Sequence, residues 1–255
     1  MKRNDGRSAD QIRSLFLTYG VYGNADGSVL FELGKTKVLC SVMMQDGVPA
    51  FLRGKGKGWL TAEYTMLPAS TQTRTVRDSS SVHKNGRSVE ISRLIGRALR
   101  SVVNLDGIGE RTIYVDCDVI QADGGTRTAA ITGAYCALQH AMDGWNKHYK
   151  ISPNILLDSV GAVSVGWSDD QILLDINFEE DSVIGADFNF VMTGSGKVIE
   201  LQGATEKEPI SWEIIDQMRH VAFHGIKQML ENIALFEPEI QDTHLKVSIK
   251  DLQAR

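Results

Sequence analysis

Cysteine is scarce in this chain: there are three in 255 residues, each inside an apolar run, "KVLCSV", "YVDCDV" and "AYCALQ". No CxxC pair and no histidine at ligand spacing accompanies them, which excludes a disulfide framework and a zinc site. The thiols are expected to be reduced core residues of a cytosolic protein. No apolar run reaches the length of a membrane span, and the opening "MKRNDGRSADQIRS" lacks the apolar stretch of a signal peptide. The chain is therefore expected to be cytoplasmic, with no membrane partner. A Gly-x-Gly-x-x-Gly at a strand-to-helix turn is also missing, which removes a dinucleotide-dependent oxidoreductase. Gly34-Lys35-Thr36 ends like a phosphate loop, but Val29 stands where that motif has glycine and a strand follows.

What is present is an ordinary globular composition, 42% hydrophobic and 23% charged, enough for one domain or two fused half-domains. The net charge of −5 argues against a nucleic-acid partner until its distribution is considered. Between Arg53 and Arg100 there are ten basic residues and three acidic ones; the remainder carries 17 basic and 29 acidic. A basic region embedded in an acidic body suits a polyanion groove. It equally describes a solvated loop and helix face.

Hydrophobic spacing organises the chain. "SVLFELGKTKVLCSVMM" reads as a hairpin and is followed by a long irregular stretch over 45–85. Residues 87–104 have the period of an amphipathic helix. "RTIYVDCDVIQ" alternates as a strand, and 126–142 is helical again, with Gly144 placed to stop it. The second half offers two hairpins, "GAVSVGW" with "QILLDINF" across Asp169-Asp170, and "DFNFVMT" with "KVIELQG" across Gly194-Ser195-Gly196. A helix from Ser211 follows. The pattern predicts an α+β fold of duplicated β-rich units with packed helices, a single domain over 1–235 and a polar extension over 236–255.

"QADGGTRTAAITGA" sets Gly124, Gly125, Thr126 and Arg127 at a helix N-terminus. Unpaired backbone N–H groups, the positive dipole end and an arginine fork there suit a phosphate, although Gly-Gly before a helix also makes an ordinary tight turn. Arg87, opening another basic helix, can join the same anion if the two helix starts are neighbours; otherwise it is an exposed turn arginine. In "FEEDSVIGADFNF", Asp181 and Asp187 bracket a turn. They read either as solvated turn carboxylates or as a pair at one rim, able to protonate a leaving group or bind Mg²⁺.

Four ordered stretches, "LTAEYTMLPASTQTR", "GRSVEISRLIGRALR", "DCDVIQADGGTRTAAITGA" and "EEDSVIGADFNFVMTGSGKVIELQG", resemble the ribonuclease PH family, phosphate-dependent 3′ exoribonucleases of bacteria. The resemblance implies a ribonuclease PH-like fold (of the ribosomal protein S5 domain 2-like kind). It implies a reversible phosphorolysis in which inorganic phosphate, as co-substrate, releases nucleoside diphosphates from RNA 3′ ends. It assigns phosphate binding to Arg87, Gly125, Thr126 and Arg127, leaving-group protonation to Asp187, Mg²⁺ to Asp181 and Asp187, and RNA contacts to Arg74 and Arg77. Ala69 stands where many members carry arginine. The resemblance further implies tRNA precursors as substrates, roles in tRNA and rRNA processing, and a homo-hexamer built as a trimer of dimers. A catalytically silent, exosome-like ring subunit that binds RNA is the alternative. Retention of both the arginines and the acid pair favours the enzyme.

Overall fold

In the computed structural model, residues 3–78, 85–149, 151, 154–168 and 171–236 are described. The first half builds a five-stranded sheet from β1 (Leu15–Tyr19), β2 (Gly27–Leu33), β3 (Thr36–Asp46), β4 (Trp59–Met66) and β5 (Arg111–Gln121), in the order β1-β2-β3-β5-β4. All neighbours are antiparallel except β4 and β5. Strict alternation sets one face: Val29, Phe31 and Leu33 on β2, Val38, Cys40 and Val42 on β3, and Ile113, Val115 and Cys117 on β5 are all buried. The three cysteines are buried free thiols in this core.

That face is covered by α1 (Gly86–Arg100), which packs on β4, and by α2 (Thr126–Tyr149), which packs on β2 and β3. The second half forms a four-stranded antiparallel sheet, β7-β6-β8-β9, from β6 (Val160–Ser168), β7 (Gln171–Leu174), β8 (Ala186–Thr193) and β9 (Val198–Thr205). A one-turn helix, α3 (Phe178–Asp181), joins β7 to β8, and α4 (Trp212–Leu235) packs on β6. Because β6 touches both α2 and α4, the layers run sheet, helix, sheet, helix. The predicted α+β class and the hairpin-then-helix order of each half are as observed.

Lying between two sheets, α2 is apolar nearly all round; Ile131, Ala134, Leu138 and Ala141 have no exposed surface. Each large apolar side chain buried there contributes about 2 kcal/mol. The helix does not stop at Gly144. It continues through Trp145, 1% exposed, whose indole N–H donates to Asp26 Oδ2 at 2.8 Å, and that anchor outweighs the ~1 kcal/mol helix penalty of one glycine. α1 ends at Arg100 rather than 104, because Asn104 caps a following 3₁₀ turn, accepting from the Gly107 N–H.

The expected irregular stretch over 45–85 contains β4, whose Leu60, Ala62 and Tyr64 point into the core. The Asp169-Asp170 turn and the extension beyond residue 236 lie outside the described residues. Among the described residues no helix is long and apolar enough to cross a membrane.

Candidate active site

Where α1, α2, α3 and β8 meet, a cleft of about 400 Å³ is lined by Arg87, Gly125, Thr126, Arg127, Asp181 and Asp187. Six residues predicted from local motifs thus share one cavity. Ser164, Asn189, Glu206 and Lys207 also line it.

The basic side of the cleft comes from two helix starts. Asn85 caps α1, its side chain accepting from the Arg87 N–H at 3.1 Å, which places Arg87 in the first turn. At α2 the chain enters through Gly124 (φ 76°) and Gly125 (φ 62°), conformations only glycine adopts without cost. The first helical bond runs from Ala129 N–H to Gly125 O at 2.9 Å, leaving the N–H groups before it without helical acceptors. Tyr64 OH donates to Thr126 Oγ1 at 2.9 Å and fixes that hydroxyl. Arg127 Nη1 donates to Gln202 Oε1 at 2.6 Å, Gln202 Nε2 donates to Glu90 Oε1 at 2.6 Å, and the guanidinium lies 3.7 Å from Glu90. The arginine fork is therefore held from β9 and α1.

A buried ion pair supports this loop from behind. Arg13 binds Asp175 through Nε (2.9 Å) and Nη2 (2.7 Å), while Nη1 donates to Asp123 O at 2.6 Å. Burial pushes the Asp175 carboxyl up, but the Arg13 charge and hydrogen bonds outweigh it and hold it below the usual carboxylate range. A Cβ at Gly124 would sit 2.6 Å from the Asn177 carbonyl carbon and 2.7 Å from the Phe178 nitrogen. The Gly124-Gly125 loop thus rests directly on the start of α3.

The acid side comes from the second half. A capping box opens α3: Asn177 accepts from the Glu180 N–H and Glu180 from the Asn177 N–H, both at 3.0 Å. Glu180 is in turn gripped by Arg3 at 2.7 and 2.8 Å. Asp181 ends this fixed turn, and Asp187 lies near the start of β8. Partial burial raises both carboxyls above their ordinary range. Asp187 adds to this at Asp181 while Arg87 and Arg127 oppose it; at Asp187 the Arg127 charge opposes and Glu206 adds.

This chemistry bears on Mg²⁺. Among the described residues no group of three or more His, Cys, Asp or Glu side chains is arranged to hold a metal. Mg²⁺, however, commonly takes one or two carboxylates and completes its shell with water and substrate phosphate, so an oxygen-only pair sharing a cleft with two guanidiniums fits it.

Arg74 and Arg77 are not brought to this cavity; both are exposed. Arg77 borders a separate groove of about 890 Å³, together with Trp59, Arg93, Arg97 and Arg100 of β4 and α1. Spacing alone missed Tyr64, Gln202, Ser164 and Asn189, since only sheet register and helix docking bring them to the loop. The alternation Leu60, Ala62, Tyr64 would have identified β4.

The domain 1 profile of the 3′ exoribonuclease family matches residues 11–142, and its domain 2 profile matches 158–225. Ribonuclease PH of Bacillus subtilis (strain 168) is 50% identical over 230 residues, 90% of this chain and 94% of that protein. The chain belongs to the ribonuclease PH family. Ribonuclease PH of Bacillus pumilus (strain SAFR-032) is 49% identical, covering 90% of this chain and 95% of its own. Similar solved structures include rice (Oryza sativa) Rrp46, with a TM-score of 0.74 at 19% identity over 91% of this chain and 98% of that one. The Archaeoglobus fulgidus exosome with RNA bound to the active site gives 0.76 at 21% identity, over 91% and 92%. These distant solved structures thus share the two-sheet fold found here.

Proposed function

We propose that this chain is a phosphorolytic 3′-to-5′ exoribonuclease working at the cleft between its two halves. One observation carries the assignment: two arginines, the Gly125-Thr126 helix start and a pair of raised carboxyls line a single cavity of about 400 Å³. In this reading inorganic phosphate sits against the Gly125, Thr126 and Arg127 start of α2, with Arg87 closing on it from α1. One phosphate oxygen attacks the phosphorus of the 3′-terminal phosphodiester; the bond to the 3′ oxygen of the preceding nucleotide breaks. Asp187 gives that oxygen its proton. The products are a nucleoside diphosphate and an RNA one nucleotide shorter, and the same steps reversed add a nucleotide.

Phosphoryl transfer asks mainly for in-line placement and for positive charge around a spreading negative one. Two guanidiniums and the α2 dipole supply it. Asp181, and Asp187 once it has given up its proton, would hold Mg²⁺, which when bound neutralises further phosphate charge.

Substrate and assembly extend the reading. The family resemblance and the exposed Arg74 and Arg77 support the 3′ ends of tRNA precursors as substrate, with Ala69 removing one phosphate contact. A cytoplasmic hexameric ring, a trimer of dimers, is the assembly proposed; a sizing column showing only monomer at working concentration would refute it. The silent, exosome-like subunit gains no support, because the exosome neighbours are 19–21% identical and speak to fold alone. The deciding assay incubates the protein and Mg²⁺ with a 3′-extended tRNA, with and without phosphate. Release of diphosphates only with phosphate is expected. Monophosphates without phosphate would indicate hydrolysis and overturn it.

A further inference from the structure

The floor of the anion pocket is a strand the functional assignment has not used. Ser164 lies in the middle of β6, in the apolar run "GAVSVGW". Its residue is 4% exposed, its Oγ is fully buried, and that oxygen has no hydrogen-bond partner among the described residues. Such an orphan is uncommon, since buried hydroxyls ordinarily find partners.

Its direction follows from register. Gly161 faces α4, where a Cβ would meet Ile226 and Leu230, so alternate positions 162, 164 and 166 face the other way, 162 and 164 toward α2 and Gly166 toward Ile176 and Ile184. The Ala162 N–H indeed donates to Thr132 Oγ1 of α2 at 3.0 Å. A Cβ added at Gly125 would stand 3.7 Å from Ser164 Oγ, and Ser164 lines the same cleft as Arg87 and Arg127. On the neighbouring strand Asn189 pairs with Ser164, and Asp187 pairs with Gly166. Cross-strand partners share a face, so Ser164, Asn189 and Asp187 form a polar stripe beneath the α2 start.

We infer that Ser164 is a further ligand of the bound anion, its hydroxyl donating a hydrogen bond to the oxygen of inorganic phosphate that points down from the Gly125–Arg127 loop. The inference rests on the phosphorolytic reading only for the identity of the anion. Three sides of the anion are then covered: the helix-start amides, the two guanidiniums and, from below, a neutral donor. A neutral donor at the floor fixes rotation of the phosphate without adding charge, which helps aim one of its oxygens at the scissile phosphorus.

The experiment measures inorganic phosphate binding to the full chain by titration calorimetry in Ser164→Ala and Ser164→Cys, beside the unsubstituted protein. Without a protein hydrogen bond to lose, Ser164→Ala should leave the melting temperature in phosphate-free buffer unchanged or slightly raised. Its phosphate affinity should fall roughly tenfold, with Ser164→Cys, a weak donor, between the two. Affinity for single-stranded RNA without phosphate should not move.

Unchanged phosphate affinity in Ser164→Ala overturns the inference. So does a drop of several degrees in the phosphate-free melt, which would mark a structural role, or a loss confined to RNA affinity, which would place the hydroxyl on the RNA phosphodiester. If the unsubstituted protein binds phosphate more tightly than Ser164→Ala yet releases no diphosphate from RNA, the Ser164 contact stands and the phosphorolytic reading falls.

Discussion

Replacing Arg127 separates charge from geometry at the anion site. Its guanidinium is part-buried, with protein contacts to Gln202 at 2.6 Å and Glu90 at 3.7 Å. These hold the fork in place but add little to the fold: a partly exposed pair is worth about 1 kcal/mol or less, which in a chain of this size is roughly 3 °C of melting temperature. Toward phosphate the same group offers two charge-assisted hydrogen bonds, together about 3 kcal/mol after desolvation. Arg127→Ala should therefore raise KM for phosphate about a hundredfold while shifting the melt by only a few degrees. Arg127→Lys keeps the charge and loses the fork, so about a tenfold rise is expected. The assay is initial-rate diphosphate release from a 3′-extended RNA at saturating RNA and varied phosphate, with thermal melts of the same preparations. A KM within twofold of the unsubstituted enzyme in Arg127→Ala would refute the assigned role, and equal effects of Ala and Lys would refute the bidentate geometry.

Other substitutions probe the supports and the acid. Asp187→Asn should abolish turnover with RNA binding retained. Because a raised carboxyl means its ionised form costs stability at neutral pH, the chelator-treated variant should melt no lower than the parent at pH 7; near-normal turnover would assign the acid elsewhere. Tyr64→Phe frees Thr126 Oγ1 and should raise KM for phosphate about fivefold with kcat nearly constant; a change in kcat alone would argue against it. Asp175→Asn leaves the Arg13 guanidinium buried and unpaired, at a cost of about 3–5 kcal/mol, or roughly 10 °C. Since the folded Asp175 carboxyl is held low, its contribution is present above the ordinary carboxylate pKa and is lost as pH falls below about 4. The melting difference between parent and Asp175→Asn should accordingly shrink in acid, and a constant difference would mean the pair is not ionic.

The sequence is most legible at the ends of elements. Arg87, Gly125, Thr126, Arg127, Asp181 and Asp187 are readable because helix starts and turns carry local chemistry, and the cleft gathers all six. β4 was hidden because its partner β5 runs parallel to it and lies across α1, so no turn announces the pairing. Ser164 reads as a small residue in an apolar strand until register sets it opposite Asn189. Arg13 and Asp175, 162 residues apart, leave no mark in local spacing; their pairing belongs to the docked halves.

The layering of sheet, helix, sheet, helix also divides the labour of the cleft. Arg87 and the Gly125–Arg127 start belong to the first half of the chain, whereas Asp181, Asp187 and Gln202 belong to the second. The site is thus an intramolecular interface, completed only when the β6–β9 sheet seats on α2. Two fragments separated between α2 and β6 would each lack one of the two chemistries. Any activity regained on mixing them would report, turnover by turnover, how well the two sheets have closed on their shared helix.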